Sequence, residues 1–381
     1  MSGATRRAED PNPPRAHPGP TPAGGPTPVT SHSEWFGVRR KLRVPSLERY
    51  PLTAGDGAAL QLHRAHDPAG DTSRGPVLLA PGTAMAGLSF CLDTVSSNLV
   101  EYLVERGFDV WIMDWRTSPD LDVHRTTYTM DDVARYDWPA AVEAVRTHTG
   151  AEQVAIMAHC LSSACLFLSL VRGYLPKAHV SAVAASQVAL HLVFSPLGQL
   201  KRWFYLDKLI PQTDMIHFQE GSPARGLGDR IVRLLAPLIP KSYRGGTKVQ
   251  HRHSAAFGDL LYMPRVSAPT VDAMGSLIPQ VSMGFLADVA RLARQSKSCI
   301  LTAEDRENLA RLALPITFLV GEHNQMFVPK ATRRSYELLV KANGPEHYVR
   351  EVIPDYGHLD CMVGDDASHQ IFPHLERGLT R

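Results

Sequence analysis

The run Ala158-His159-Cys160-Leu161-Ser162 is where this chain could do covalent chemistry. It joins the apolar stretch QVAIMAHC to the helix-like stretch LSSACLFLSLVRGYL. A nucleophile with small residues two positions away on each side, between a strand and a helix, is the pattern of a nucleophile elbow. The small residues are needed because the nucleophile sits on a sharp turn with backbone packed close to it. Here the slot holds a thiol, so the chemistry expected is attack of sulfur on an acyl carbonyl to give a thioester. The plainer reading is a buried cysteine that ends a strand.

A thiol nucleophile needs a base and a group to orient that base. In elbow sites the chain order is nucleophile, acid, histidine. Gly357-His358 follows the strand-like HYVREVIP and precedes the last helix, so His358 is the expected base among 17 histidines. His191, His251, His253 and His323 are weaker rivals. His159 is expected to point away, because adjacent side chains diverge at a sharp turn. After LPITFLVG comes Gly321-Glu322-His323-Asn324, which puts Asn324 in the acid slot. Its amide oxygen is expected to accept the Nδ1 hydrogen of His358, as in convergent cysteine–histidine–asparagine sites. The plain alternative is that Asn324 caps a turn, with Glu322 or Asp360 supplying a carboxylate instead. The oxyanion hole is expected from the backbone N–H of Leu161 and that of Thr83, in the loop after GPVLLAPG.

These residues need a scaffold, and the punctuation of the chain describes one. GVRRKLRV and AALQLHRAH read as strands around a turn at Ala54-Gly55-Asp56-Gly57. Buried strands GPVLLAPG, FDVWIMDW, QVAIMAHC and HVSAVAAS then alternate with helices SNLVEYLVERG, MDDVARYDWPAAVEAVRTHTG and LSSACLFLSLVRGYL. The alternation predicts an α/β fold, a mostly parallel doubly wound sheet with helices on both faces. It breaks over 188–309, which reads as a helical lid insertion, and resumes over 310–381. The α/β core is therefore 34–187 with 310–381. Residues 1–33, rich in Pro, Gly and Ala, are expected to be disordered. A late insertion belongs over the carboxyl ends of the strands, where open α/β sheets bind ligands.

Composition excludes several classes. With 40 basic and 38 acidic residues the formal charge is +2, and nothing global points to nucleic acid. No apolar run approaches the roughly 18–20 residues that span a bilayer, so no integral membrane segment is expected. Five cysteines with no paired spacing, and no signal-peptide pattern, suggest free thiols in a reducing cytoplasm. Gly82 and Gly87 do not form a phosphate loop, and no metal-ligand spacing occurs, so neither a cofactor nor a metal is expected. The basic cluster Arg39-Arg40-Lys41 reads as a solvated strand edge. Lys201-Arg202-Trp203-Phe204-Tyr205-Leu206 reads as lid core, or as a contact with an apolar substrate or a membrane surface.

At these residues the chain resembles the bacterial α/β-hydrolases that occur alone or fused behind cholesterol-oxidase-like flavoproteins. The likeness runs through FDVWIMDWRTSPDL, YTMDDVARYDWPAAVEAVRTHTG, VAIMAHCLSSA, ASQVALH and the stretch from LALPITFLVGEHNQMFVP to VIPDYGHLDCMVG. A more distant likeness extends to polyhydroxyalkanoate synthases, which also carry a cysteine elbow. The resemblance implies the α/β-hydrolase fold, with Cys160, Asn324 and His358 at the nucleophile, third-member and base positions. The chain departs from that group at Ser162, where glycine is usual, and around HRHSAAFGDLLY in the lid. The function expected is acyl transfer through a thioester on Cys160, with hydrolysis of an ester, lactone or thioester of a small apolar substrate. The alternatives are an acyltransferase or cyclase passing the acyl group to an amine, thiol or hydroxyl, and a non-hydrolytic binding or non-acyl member of the fold. The sequence leaves the oligomeric state open.

Overall fold

Short, continuous apolar runs make strands that are buried on both faces, and these build the centre of the molecule. The computed structural model describes residues 26–28, 40–44, 46–68, 70–196, 198–199, 210–219, 221–238, 247–294 and 298–381. In chain order its main sheet contains β1 (Thr27–Pro28), β2 (Ser46–Thr53), β3 (Ala59–His66), β4 (Pro76–Ala80), β5 (Asp109–Asp114), β6 (Val154–His159) and β7 (Val180–Ser186). A second sheet pairs β8 (Met215–His217) with β9 (Gln280–Ser282), and β10 (Ile316–Gly321) and β11 (Tyr348–Ile353) return to the main one. The main sheet runs β1-β2-β3-β5-β4-β6-β7-β10-β11. From β5 to β11 all pairings are parallel, while β1, β2 and β3 form an antiparallel edge.

Helices cover both faces. On one side α2 (Trp138–Thr149), α3 (Leu161–Arg172) and α8 (Lys330–Asn343) pack into one apolar cluster. On the other, α1 (Leu99–Val104) and α9 (Phe372–Leu379) pack into a second, which extends into the segment between β7 and β10. That segment contains α4 (Leu227–Leu235), α5 (Lys248–Ala256), α6 (Ala268–Leu277) and α7 (Met283–Arg294). The pairing of β8 with β9 within it, absent from the helical reading, fastens its beginning to its later half. The stretch Lys201–Leu206 lies outside the described residues, as does most of 1–33. Within 1–33, Thr27 and Pro28 nonetheless pair with Arg49 and Glu48, so that part of the N-terminal segment is ordered on the sheet edge.

Two expectations need correction. The first long strand is Ser46–Thr53; of GVRRKLRV, residues 40–44 are not in a strand and 37–39, with Arg39, lie outside the described residues. Arg40 turns aside to a two-pronged pair with the fully buried Glu101, at 2.6 and 2.7 Å, so it is not a solvated edge residue either. The other concerns the helix MDDVARYDWPAAVEAVRTHTG, which is not regular: Val133–Asp137 form a wide π turn before α2. Pro139 has no N–H to continue the ladder, and Asp137 instead binds the buried Arg116. Among the described residues no helix is long and apolar enough to cross a membrane.

Candidate active site

β6 ends at His159 and α3 begins at Leu161, so Cys160 must make the whole turn. It does so at φ 61° and ψ −136°, a region that costs a non-glycine residue about 1–3 kcal/mol. The surroundings hold it there. Its N–H donates to the Ser186 carbonyl on β7 at 2.9 Å, and its carbonyl accepts from the Ser163 N–H and hydroxyl. Gly82 approaches from the β4 loop, where an added Cβ would lie 3.3 Å from the Cys160 Cβ. The departure at Ser162 is accommodated because its hydroxyl donates to the His159 and Ala80 carbonyls, at 2.7 and 3.2 Å. A serine here adds hydrogen bonds to the elbow instead of crowding it.

The sulfur is buried, and burial pushes its thiol pKa up to about 12. The backbone N–H groups of Leu161 and Thr83 point at the sulfur and oppose that rise. The two donors expected for an oxyanion therefore converge on the resting nucleophile. Cys160, Leu161, Thr83 and His358 all line one cavity of about 170 Å³. The rest of its wall is apolar, with Ile231 and Val232 from α4, Leu286 and Val289 from α7, and Met326 and Phe327 after β10. Among the described residues no charged side chain lines it.

His358 reaches this wall because two loops meet behind it. A Cβ on Gly321 would fall 2.2 Å from the Gly357 carbonyl oxygen, so only glycine lets the end of β10 touch the loop after β11. The His358 ring is buried, and burial with His159 nearby holds its pKa well below the usual value. His159 does not line the cavity, but its ring stays next to that of the expected base. Its ring centroid lies 5.0 Å from that of His358, its Nδ1 meets the Ser186 hydroxyl at 3.1 Å, and burial lowers its pKa to about 3. His191, His251, His253 and His323 do not line the cavity.

Asn324 does meet Nδ1 of His358, at 3.1 Å, but through Nδ2 and not Oδ1. The expectation that the amide oxygen accepts from the ring is therefore reversed. Oδ1 is already taken by the N–H groups of Met326 and Phe327, each at 3.0 Å, which is the turn-capping role as well. Neither alternative carboxylate is at Nδ1. Glu322 is exposed. Asp360 accepts from the Gly357 N–H at 2.7 Å and the Tyr262 N–H at 3.0 Å, which braces the histidine loop from outside, and burial raises its pKa to about 6.

Sequence reasoning missed Gln187. It follows β7 at φ 78°, and its Oε1 accepts from Asn324 Nδ2 at 2.8 Å. The only local signal was a polar residue closing a buried strand. For a metal, the ligand atoms of Glu322, His323 and Asp355 lie within 4.8 Å of one another, but Arg265 faces the Asp355 carboxylate at 3.6 Å and the group is at the surface.

Residues 75–365 match the profile of a family described as alpha/beta hydrolase fold. The poly(3-hydroxyalkanoate) polymerase subunit PhaC of Haloferax mediterranei is 23% identical over 287 residues, 72% of this chain and 53% of that protein. Triacylglycerol lipase 2 of Arabidopsis thaliana is 26% identical over 201 residues, 48% of this chain and 47% of that one. The chain thus spans about half the length of the curated relatives it matches. A thermophilic esterase from Thermogutta terrifontis superposes with a TM-score of 0.51 at 16% identity, covering 86% of this chain and 97% of that one. An esterase from Exiguobacterium antarcticum gives 0.52 at 13%, covering 87% and 99%. At such identities the structures share the fold.

Proposed function

The chain belongs to the α/β-hydrolase fold family, and we propose that it is an acyl-transfer enzyme that carries its acyl group as a thioester on Cys160. The donor in this reading is an apolar ester, lactone or thioester, and the acceptor is water. One observation carries the reading. A cysteine strained to φ 61° sits with the Leu161 and Thr83 backbone N–H groups near its sulfur, on the wall of an apolar cavity it shares with His358. The lipase and esterase names among the relatives support ester chemistry, and the apolar residues described on the wall support a neutral hydrocarbon acyl group.

Sγ bonds to the carbonyl carbon while the thiol proton passes to Nε2 of His358. The carbonyl oxygen, now negative, is taken by the backbone N–H groups of Leu161 and Thr83. As the tetrahedral centre collapses, the leaving alcohol or thiol takes the Nε2 proton and the thioester remains. The acceptor then gives its proton to Nε2 and adds to the thioester carbonyl, and as that centre collapses Sγ leaves and takes the Nε2 proton back as a thiol. Water yields a free acid, whereas an amine, thiol or hydroxyl yields a transferred acyl group. Incubating the enzyme with acyl donors and measuring free acid against transferred product separates these. Free acid is expected to dominate, and Cys160→Ala is expected to abolish both. Full activity in Cys160→Ala would sink the reading.

A second reading is favoured by the sense of the Asn324 amide. An N–H group beside Nδ1 suits a ring whose Nε2–H donates to a ligand, as in a binding protein or a non-acyl enzyme. That reading predicts that an electrophilic acyl probe leaves Cys160 unlabelled while the fold stays intact.

A further inference from the structure

Three backbone N–H groups fix the sense of two buried amides. Met326 and Phe327 donate to Asn324 Oδ1, each at 3.0 Å, which leaves Nδ2 directed inward. There Nδ2 meets Gln187 Oε1 at 2.8 Å and His358 Nδ1 at 3.1 Å. Gln187 is held in turn, because its Oε1 also accepts from the Gly321 N–H at 3.2 Å. Its backbone is pinned at φ 78° by a 2.7 Å bond from its N–H to the Leu319 carbonyl. Turning either amide over would set N–H against N–H.

A primary amide nitrogen donates two hydrogens and accepts none. One hydrogen of Asn324 goes to Gln187, and the other can only go to a ring nitrogen that has no proton of its own. From this we infer that Gln187 and Asn324 form an amide lock that holds His358 as its Nε2–H tautomer, and that Gln187 is a positioning residue of the site. Cys160 then rests as a thiol beside a hydrogen-bond donor. For His358 to take the thiol proton at Nε2, its ring must first carry hydrogen on Nδ1, and that requires Asn324 to present Oδ1. The lock opposes this turn with both capping bonds and the bond to Gln187. The resting site is therefore latent. The inference rests on Cys160 and His358 being the reacting pair, but the ring's tautomer is measurable without any acyl substrate.

The lock reverses the sign expected for substitutions. In a site where Asn324 accepts from the ring, loosening it slows the nucleophile. Here loosening it frees the ring to become a base. The test uses the full-length protein with ¹⁵N-labelled histidine, the His358→Gln variant identifying the ring. At pH 7.5 the wild-type spectrum is expected to show Nε2 protonated and Nδ1 bare; a protonated Nδ1 overturns the lock. In parallel, alkylation of Cys160 by iodoacetamide is followed against pH by peptide mass. Gln187→Met removes the acceptor of both the Asn324 Nδ2 and the Gly321 N–H and is expected to raise the neutral-pH rate about 10-fold. Asn324→Asp sets a carboxylate at Nδ1 and is expected to raise it roughly 100-fold, shifting the profile toward lower pH. If both variants fold and both leave rate, profile and tautomer at wild-type values, Gln187 is only structural and the proposal falls. A lower rate in either also contradicts it.

Discussion

Cys160 is a strained, buried thiol whose pKa burial raises and the nearby Leu161 and Thr83 N–H groups oppose, and its reactivity follows from that balance. Burial pushes its pKa up to about 12, so the thiolate fraction is small at neutral pH and rises tenfold per pH unit. Alkylation of the wild-type protein is therefore expected to climb steadily between pH 7 and 10 without a plateau. A plateau near neutrality would mean a preformed thiolate–imidazolium pair. Ser162 gives a second test at this scale. Ser162→Gly is expected to keep the fold, whereas Ser162→Val leaves the His159 and Ala80 carbonyls without their hydroxyl donor and is expected to cost about 1–3 kcal/mol, read by denaturant unfolding. The positions of Cys160, His358 and Asn324 were legible because each follows a strand in the order a nucleophile, acid and base require. The direction of the Asn324 amide was not legible. It depends on the Met326 and Phe327 N–H groups and on Gln187, which lies 137 positions away in the chain.

At the scale of elements, the site exists because strand ends are brought into contact. The β10 and β11 loops touch at Gly321, where any Cβ would collide with the Gly357 and Tyr356 carbonyls at 2.2 and 2.4 Å. Gly321→Ala is expected to force those loops apart, lower stability by several kcal/mol, about the size reserved for backbone strain in a packed interior, and remove any activity. A thermal melt beside an assay checks both. The buried parallel strands and the helices between them could be read from apolar runs and periodicity. The first strand could not, because a long-range pair of Arg40 with Glu101 decides where the chain enters the sheet. The β8–β9 pair escaped notice for the same kind of reason, since three-residue strands carry almost no pattern. The cavity wall offers a separate test. Ala290 on α7 lines it, so Ala290→Phe is expected to narrow it and shift preference toward shorter acyl groups, read as kcat/KM across an ester series.

Over the whole molecule, buried titratable groups set the response to pH. His159, His191 and His253 are buried and held neutral, with pKa values lowered by burial to about 3, 4 and 4. The unfolded chain takes up protons on them below about pH 6.5, and the native chain does not, so their contribution is intact above that pH and is lost as pH falls toward 4. Asp120, Asp137 and Asp360 work the other way, since burial raises them to about 8, 6 and 6 and the native state gains protons first. His358, also held well below the usual range by burial, joins the histidine side, so four groups oppose three, and the protein is expected to melt lower at pH 4.5 than at pH 7.5; a flat or rising profile contradicts this. All of it returns to the acyl chemistry that the fold surrounds. The most direct measurement is intact mass with peptide mapping after exposure to a panel of apolar esters and thioesters. The account predicts one acyl group added on Cys160, absent in Cys160→Ser. No adduct on a folded wild-type protein, or an adduct on Cys91, Cys165, Cys299 or Cys361 instead, would contradict it.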